Sequence, residues 1–179
     1  MDSRFPGALE RMVQAAWTAR LNGGNDAQIM SAARLVVVEL MPKALATAPD
    51  ELLEEGARLT RAELSASLAV SPEACAKFLA GQLSIIDTLP SSIIEQDTAF
   101  SMSVFSTPPR ADLGPPPLED AENAIGQALA NLSSMQVAIV SEPKKFNKDP
   151  RLLCTAFVEF YSEVTRLPQK QRRLALRLM

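Results

Sequence analysis

The sequence contains no histidine. That absence removes the commonest general base, the usual partner of a serine or cysteine nucleophile, and the commonest transition-metal ligand. Aromatic residues supply only 5% of the chain, so alanine and leucine must fill most of the interior. Such an interior favours closely packed helices over a sheet, where β-branched and aromatic side chains are enriched. The only adjacent glycines, Gly23-Gly24, lie between two predicted helices, so there is no glycine-rich phosphate loop of the strand-turn-helix kind. No apolar run approaches the ~20 residues needed to cross a bilayer. The first residues, Met1-Asp2-Ser3-Arg4-Phe5-Pro6, lack a signal-peptide pattern, which makes the cytoplasm the default setting. Cys75 and Cys154 are too few for a disulfide scaffold and are not spaced as metal ligands. Each sits among apolar neighbours on a predicted helix, which predicts two buried thiols. If the chain is a piece of an exported protein, a Cys75–Cys154 disulfide becomes the leading alternative. Neither cysteine has a basic local sequence to lower its pKa. Together these absences predict a protein that is not an enzyme and holds no cofactor and no metal.

What remains is globular in character. Hydrophobic residues at 47% and charged residues at 22% exclude wholesale disorder, and 179 residues suit one compact unit with a linker. The net charge of −3 is uneven: residues 1–141 hold 17 acids and 9 bases, and residues 142–179 hold 4 acids and 9 bases. A basic tail can meet an anionic partner or form a solvated helical surface. The acids cluster as Asp50-Glu51, Glu54-Glu55 and Glu119-Asp120-Glu122, in the first turns of predicted helices, where they complement the helix dipole.

Helical periodicity begins at Pro6, with Leu9, Met12, Val13, Ala16 and Trp17 on one face and Asn22-Gly23-Gly24 as a stop. Asp26 can cap a second helix, whose stripe of Ile29, Ala33, Val36, Val37 and Leu40 must bend or end at Pro42. Leucines from Leu52 to Leu68 predict one helix or two, with Gly56 as a weak point. Ser71-Pro72 opens a helix carrying Cys75, Phe78, Leu79, Ile85 and Ile86. Ser92-Ile93-Ile94-Glu95 reads as a capping box before Phe100 and Val104. Five prolines and one glycine in residues 106–117 predict an exposed, semi-rigid linker. Beyond it, Ala121, Ile125, Ala128, Leu132, Met135 and Ile139 form one seam-like stripe, and Leu153, Phe157, Phe160, Val164 and Leu167 another. Two such helices can pair with each other or with a second copy of the chain. A last helix after Leu167-Pro168 carries Lys170, Arg172, Arg173 and Arg177 as a basic patch.

Residues 59–82 rise above this background. Leu64, Leu68, Val70, Cys75 and Phe78 fall where a helix-turn-helix buries apolar side chains, Ser65 is small where its helices approach, Ala69 stands at the turn, and Gly81 follows the second helix. The segment resembles the helix-turn-helix of Cro/repressor-type DNA-binding domains. The resemblance implies that Pro72 to Ala80 enters the major groove with Ser71, Glu73, Ala74 and Lys77 facing DNA. Glycine is usual where this chain has Ala69, and the reading helix is poor in arginine, asparagine and glutamine. Over nearly the same stretch, Phe78-Leu79-Ala80-Gly81-Gln82-Leu83-Ser84-Ile85-Ile86-Asp87-Thr88-Leu89 resembles a segment of the HD-related output domain, an all-helical bacterial signalling module. Ser84-Ile85 stands where metal-binding relatives have His-Asp, which implies a non-catalytic version.

The sequence therefore predicts an all-α protein of seven or eight helices. Residues 1–105 would form an N-terminal bundle, 106–117 a linker, and 118–179 a C-terminal hairpin with a basic terminal helix. The expected function is a non-enzymatic helical interaction or regulatory protein, binding a protein partner or a second copy. The alternative is a DNA-binding regulator using residues 59–82.

Overall fold

The structure, a computed structural model, describes residues 5–81, 89–110 and 116–179. Among these residues there are nine α-helices and no strand, so the all-α expectation holds and the count exceeds the expected seven or eight. They are α1 (Ala8–Leu21), α2 (Asp26–Leu45), α3 (Asp50–Val70), α4 (Pro72–Leu79), α5 (Ser91–Ser106), α6 (Leu118–Leu129), α7 (Ser134–Ser141), α8 (Pro150–Arg166) and α9 (Gln169–Leu178). A 3-10 turn, Pro143–Phe146, leads from α7 towards α8.

The extra helix comes from the stripe that runs from Ala121 to Ile139. It is interrupted at the end of α6, and Ser133 restarts the chain: its side chain accepts from the Gln136 N–H while Gln136 reaches back to the Ser133 N–H. Met135 consequently lies exposed instead of continuing the seam. Other ends follow local chemistry closely. Gly23, at φ +79°, donates to Arg20 O (3.0 Å) and Gly24 to Ala19 O (2.9 Å), the paired bonds of a Schellman stop. The cap of α2 is Asn25, not Asp26, in a reciprocal box with Gln28. Ser71 and Asp149 cap α4 and α8, each followed by proline in the first turn, where its missing N–H costs nothing. The capping box expected at Ser92 is absent; α5 starts at Ser91 behind Pro90 with no side-chain cap. Pro42 is carried inside α2, and Gly56 inside an unbroken α3.

Gly56 has a packing role. A Cβ built there would lie 2.8 Å from Phe100 Cζ, so the glycine lets the α5 ring seat directly on the α3 backbone. Around that contact, Val36, Leu40, Ala44, Leu59, Phe100, Val104 and Phe105 form the N-terminal core. On α1 Ala8, Met12 and Ala15 pack on this core, while Leu9, Val13 and Trp17, expected on the buried face, are exposed. The close approach that alanine permits decides which part of a broad apolar face is covered.

The segment after the linker does not stand apart. Helix α8 packs on both α3 and α4, and α9 packs on α6 and α3. Leu64, Cys75 and Cys154 are fully buried where α3, α4 and α8 meet. There the two cysteines form a disulfide, which corrects the expectation of two separate thiols. Of the linker, residues 107–110 and 116–117 are non-helical, and the Arg110 N–H donates to Thr47 O (2.9 Å) at the α2–α3 turn. Residues 111–115 lie outside the described residues, as do Ile85 and Ile86.

Candidate functional site

Two acids stand on apolar registers. On α3, Leu52, Gly56, Leu59 and Glu63 recur at spacings of four and three, and on α5 Asp97 precedes Phe100 and Val104 in the same way. The fold turns both acids inward, where they border a cavity of about 620 Å³ between α2, α3 and α5, with parts of α4, α8 and α9 at its margins. Its walls are largely apolar, formed by residues such as Val37, Met41, Leu53 and Phe100. Its polar groups are Arg34, Thr60, Glu63, Asp97, Ser101, Tyr161 and Arg177. This size and lining match those of small-molecule sites.

Arg34 on α2 and Asp97 on α5 form an ion pair across the cavity edge. Glu63, only 7% exposed, makes no hydrogen bond or ion pair among the described residues. Burial, reinforced by Asp97 and opposed by Arg34, pushes its carboxyl up to about 8, so it is largely protonated at neutral pH. Tyr161 of α8 is also held above its ordinary pKa, by burial and then by Glu63. The arrangement is an apolar chamber with one uncompensated acid, an adjacent neutralised ion pair and a phenol. Among the described residues no group of acids and cysteines is placed to hold a metal.

The basic terminal helix is occupied differently. Arg177 donates through Nε to Asp50 Oδ1 (2.9 Å) and through Nη2 to Ala48 O (3.1 Å). Arg172 pairs with Glu54 (3.0 Å) and caps the end of α8 through Thr165 O and Leu167 O (both 3.1 Å). Arg173 lies 3.4 Å from both Asp50 and Glu51 and 3.7 Å from Glu54. The first turns of α3 and the length of α9 thus form one antiparallel charged seam. Of the four residues expected as a basic patch, Lys170 is exposed, and the three arginines are committed to α3.

The residues expected to face DNA lie at the start of α4. Glu73 and Lys77 are exposed, one turn apart, Ala74 is half-buried, and the half-buried Ser71 accepts from the Ala74 N–H (3.0 Å). Helix α3 continues through Ala69 to Val70, so one residue, Ser71, joins the two helices, and Val70 is exposed. Most of the segment compared with the HD-related output domain, residues 82–88, lies outside the described residues.

No family model, curated protein or solved structure matches this chain.

Glu63, Asp97 and Arg34 each lack an ionisable neighbour in the sequence, so clustering of charged residues along the chain does not reveal them. The usable signal was an ionisable residue in the apolar register of an amphipathic helix, present on both α3 and α5.

Proposed function

We propose that this is a non-enzymatic helical protein that works by association, and that its association surface is the outer face of α1. One observation carries the reading. Leu9, Val13, Trp17 and Leu21 recur every fourth residue and are all more than half exposed, forming an apolar row over three turns of a helix whose opposite side is already packed on α2. Single exposed leucines are ordinary; a continuous row is a contact surface. Sequence alone favoured the C-terminal hairpin for this role, but there the exposed apolar residues, such as Leu118 and Met135, are scattered.

The occupant best suited to the row is a second copy of the chain. An antiparallel two-fold pairing centred at Ala15 would lay Leu9 beside the partner's Leu21 and Val13 beside the partner's Trp17, and the reverse, so the row is self-complementary. Sedimentation of the full chain over a range of concentrations, with the emission of Trp17 followed in parallel, tests this. A dimer that shifts Trp17 emission to the blue and is lost in Val13→Lys is expected. A monomer at the highest soluble concentration would overturn it.

The exposure of Glu73 and Lys77 on one side of α4 favours, as a second reading, a DNA-binding regulator. A salt-dependent mobility shift of duplex DNA, weakened in Lys77→Ala, is its expected signature. Absence of binding at low salt would remove it. No helix among the described residues is long and apolar enough to cross a membrane. The Cys75–Cys154 bridge favours an oxidising compartment over the cytoplasmic default.

A further inference from the structure

The buried acid facing the cavity between α2, α3 and α5 takes no part in association through α1. Of the charged groups around it, Arg34 is already neutralised by Asp97 and Arg177 by Asp50. Ionised Glu63 would therefore leave the chamber with one excess negative charge, whereas a protonated Glu63 leaves it neutral. A neutral or monocationic guest balances one of these states. An anionic guest balances neither, because it would meet Glu63 and Asp97 together. The apolar walls require that most of such a guest be hydrocarbon. We infer that this cavity is a binding site for a small apolar amine, its ammonium group paired with Glu63 and its hydrocarbon part laid against Met41, Leu53 and Phe100.

Binding carries a defined proton exchange. The guest enters as ammonium and keeps its proton. Glu63 gives its own proton to solvent, because a neighbouring cation favours the carboxylate against the burial and the Asp97 charge that oppose it. Arg34 from α2, Asp97 from α5 and Tyr161 from α8 are the ionisable groups that act on this change, and Arg177 from α9, which also lines the cavity, is held by Asp50.

Isothermal titration of the full, oxidised chain at pH 7 with octylamine, octanol and octanoate tests the assignment. Repeating it in buffers of different ionisation enthalpy counts protons. Octylamine should bind at least tenfold more tightly than octanol, octanoate should not bind, and close to one proton should be released for each amine bound. Glu63→Gln should lose the preference for amine over alcohol together with the proton release. Met41→Trp, which fills the cavity and leaves Glu63 in place, should abolish binding, and it serves if the Gln variant does not fold. Equal affinity for the three probes, amine binding without proton release, retention of the preference in Glu63→Gln, or absence of amine binding would each overturn the proposal. Octylamine held only by the exposed α1 row would bind both variants unchanged and would overturn it equally.

Discussion

Helix α3 carries acids at its start and an acid in its middle, and the two regions treat the carboxylate in opposite ways. At the start, Asp50, Glu51 and Glu54 gain from the helix dipole and from three arginines of α9. Beyond Glu54 on the same helix, Glu63 is buried in an apolar chamber whose two lining cations, Arg34 and Arg177, are already paired with Asp97 and Asp50. Acidic side chains are thus matched by arginines at one place, and one is pushed towards neutrality at the other. Burial is the largest push on Glu63, and the cation that opposes it, Arg34, is already paired with Asp97.

The largest effect expected from breaking this contrast is at Glu63. Its carboxyl is raised from 4.5 to about 8, so the unfolded chain sheds the proton first and stability falls as pH rises across that interval. Below it both states are protonated and nothing is lost. Glu63→Gln cannot titrate, so the difference between the unfolding free energies of variant and parent should grow by ~4 kcal/mol between the acid and alkaline ends of the window, at about 1.4 kcal/mol per unit. Equal pH profiles for the two proteins would contradict the chamber's electrostatics. Next comes Arg177→Ala in the seam, which removes the donor to Ala48 O and leaves Asp50 to the longer Arg173 contact; it should cost ~2–3 kcal/mol in denaturant titrations, with the sign opposite to that of Glu63→Gln above neutral pH. Between the two regions, Gly56→Ala pushes a methyl into Phe100 and should cost ~1–2 kcal/mol with little pH dependence. Smallest is Arg173→Ala, whose longer contacts reach the exposed Glu51 as well as Asp50 and Glu54; a loss of less than ~1 kcal/mol that shrinks with added salt is expected.

Much of the fold is legible in the sequence because it rests on local chemistry. The Ser71-Pro72 and Asp149-Pro150 starts, the Gly23-Gly24 stop and the stripes of α2 and α8 are each fixed by groups within a turn of one another. What the sequence hid depends on partners distant in the chain. The acids of α3 and the bases of α9 each have an adequate local explanation in dipole complementarity, which conceals that they answer one another across more than a hundred residues. The side of α1 that is covered depends on the shape of α2 and α5, and periodicity does not encode that. The candidate cavity was hidden for the same reason, since Arg34, Glu63 and Asp97 belong to three helices and make no shared motif.

The Cys75–Cys154 bridge spans 79 positions of sequence and encloses the proline-rich stretch. Cleavage anywhere inside that ring, for instance after the exposed Arg110, would open the chain without releasing either piece. Such a cut would turn one polypeptide into two that travel together until a reductant parts them, so the unit of inheritance and the unit of assembly need not coincide.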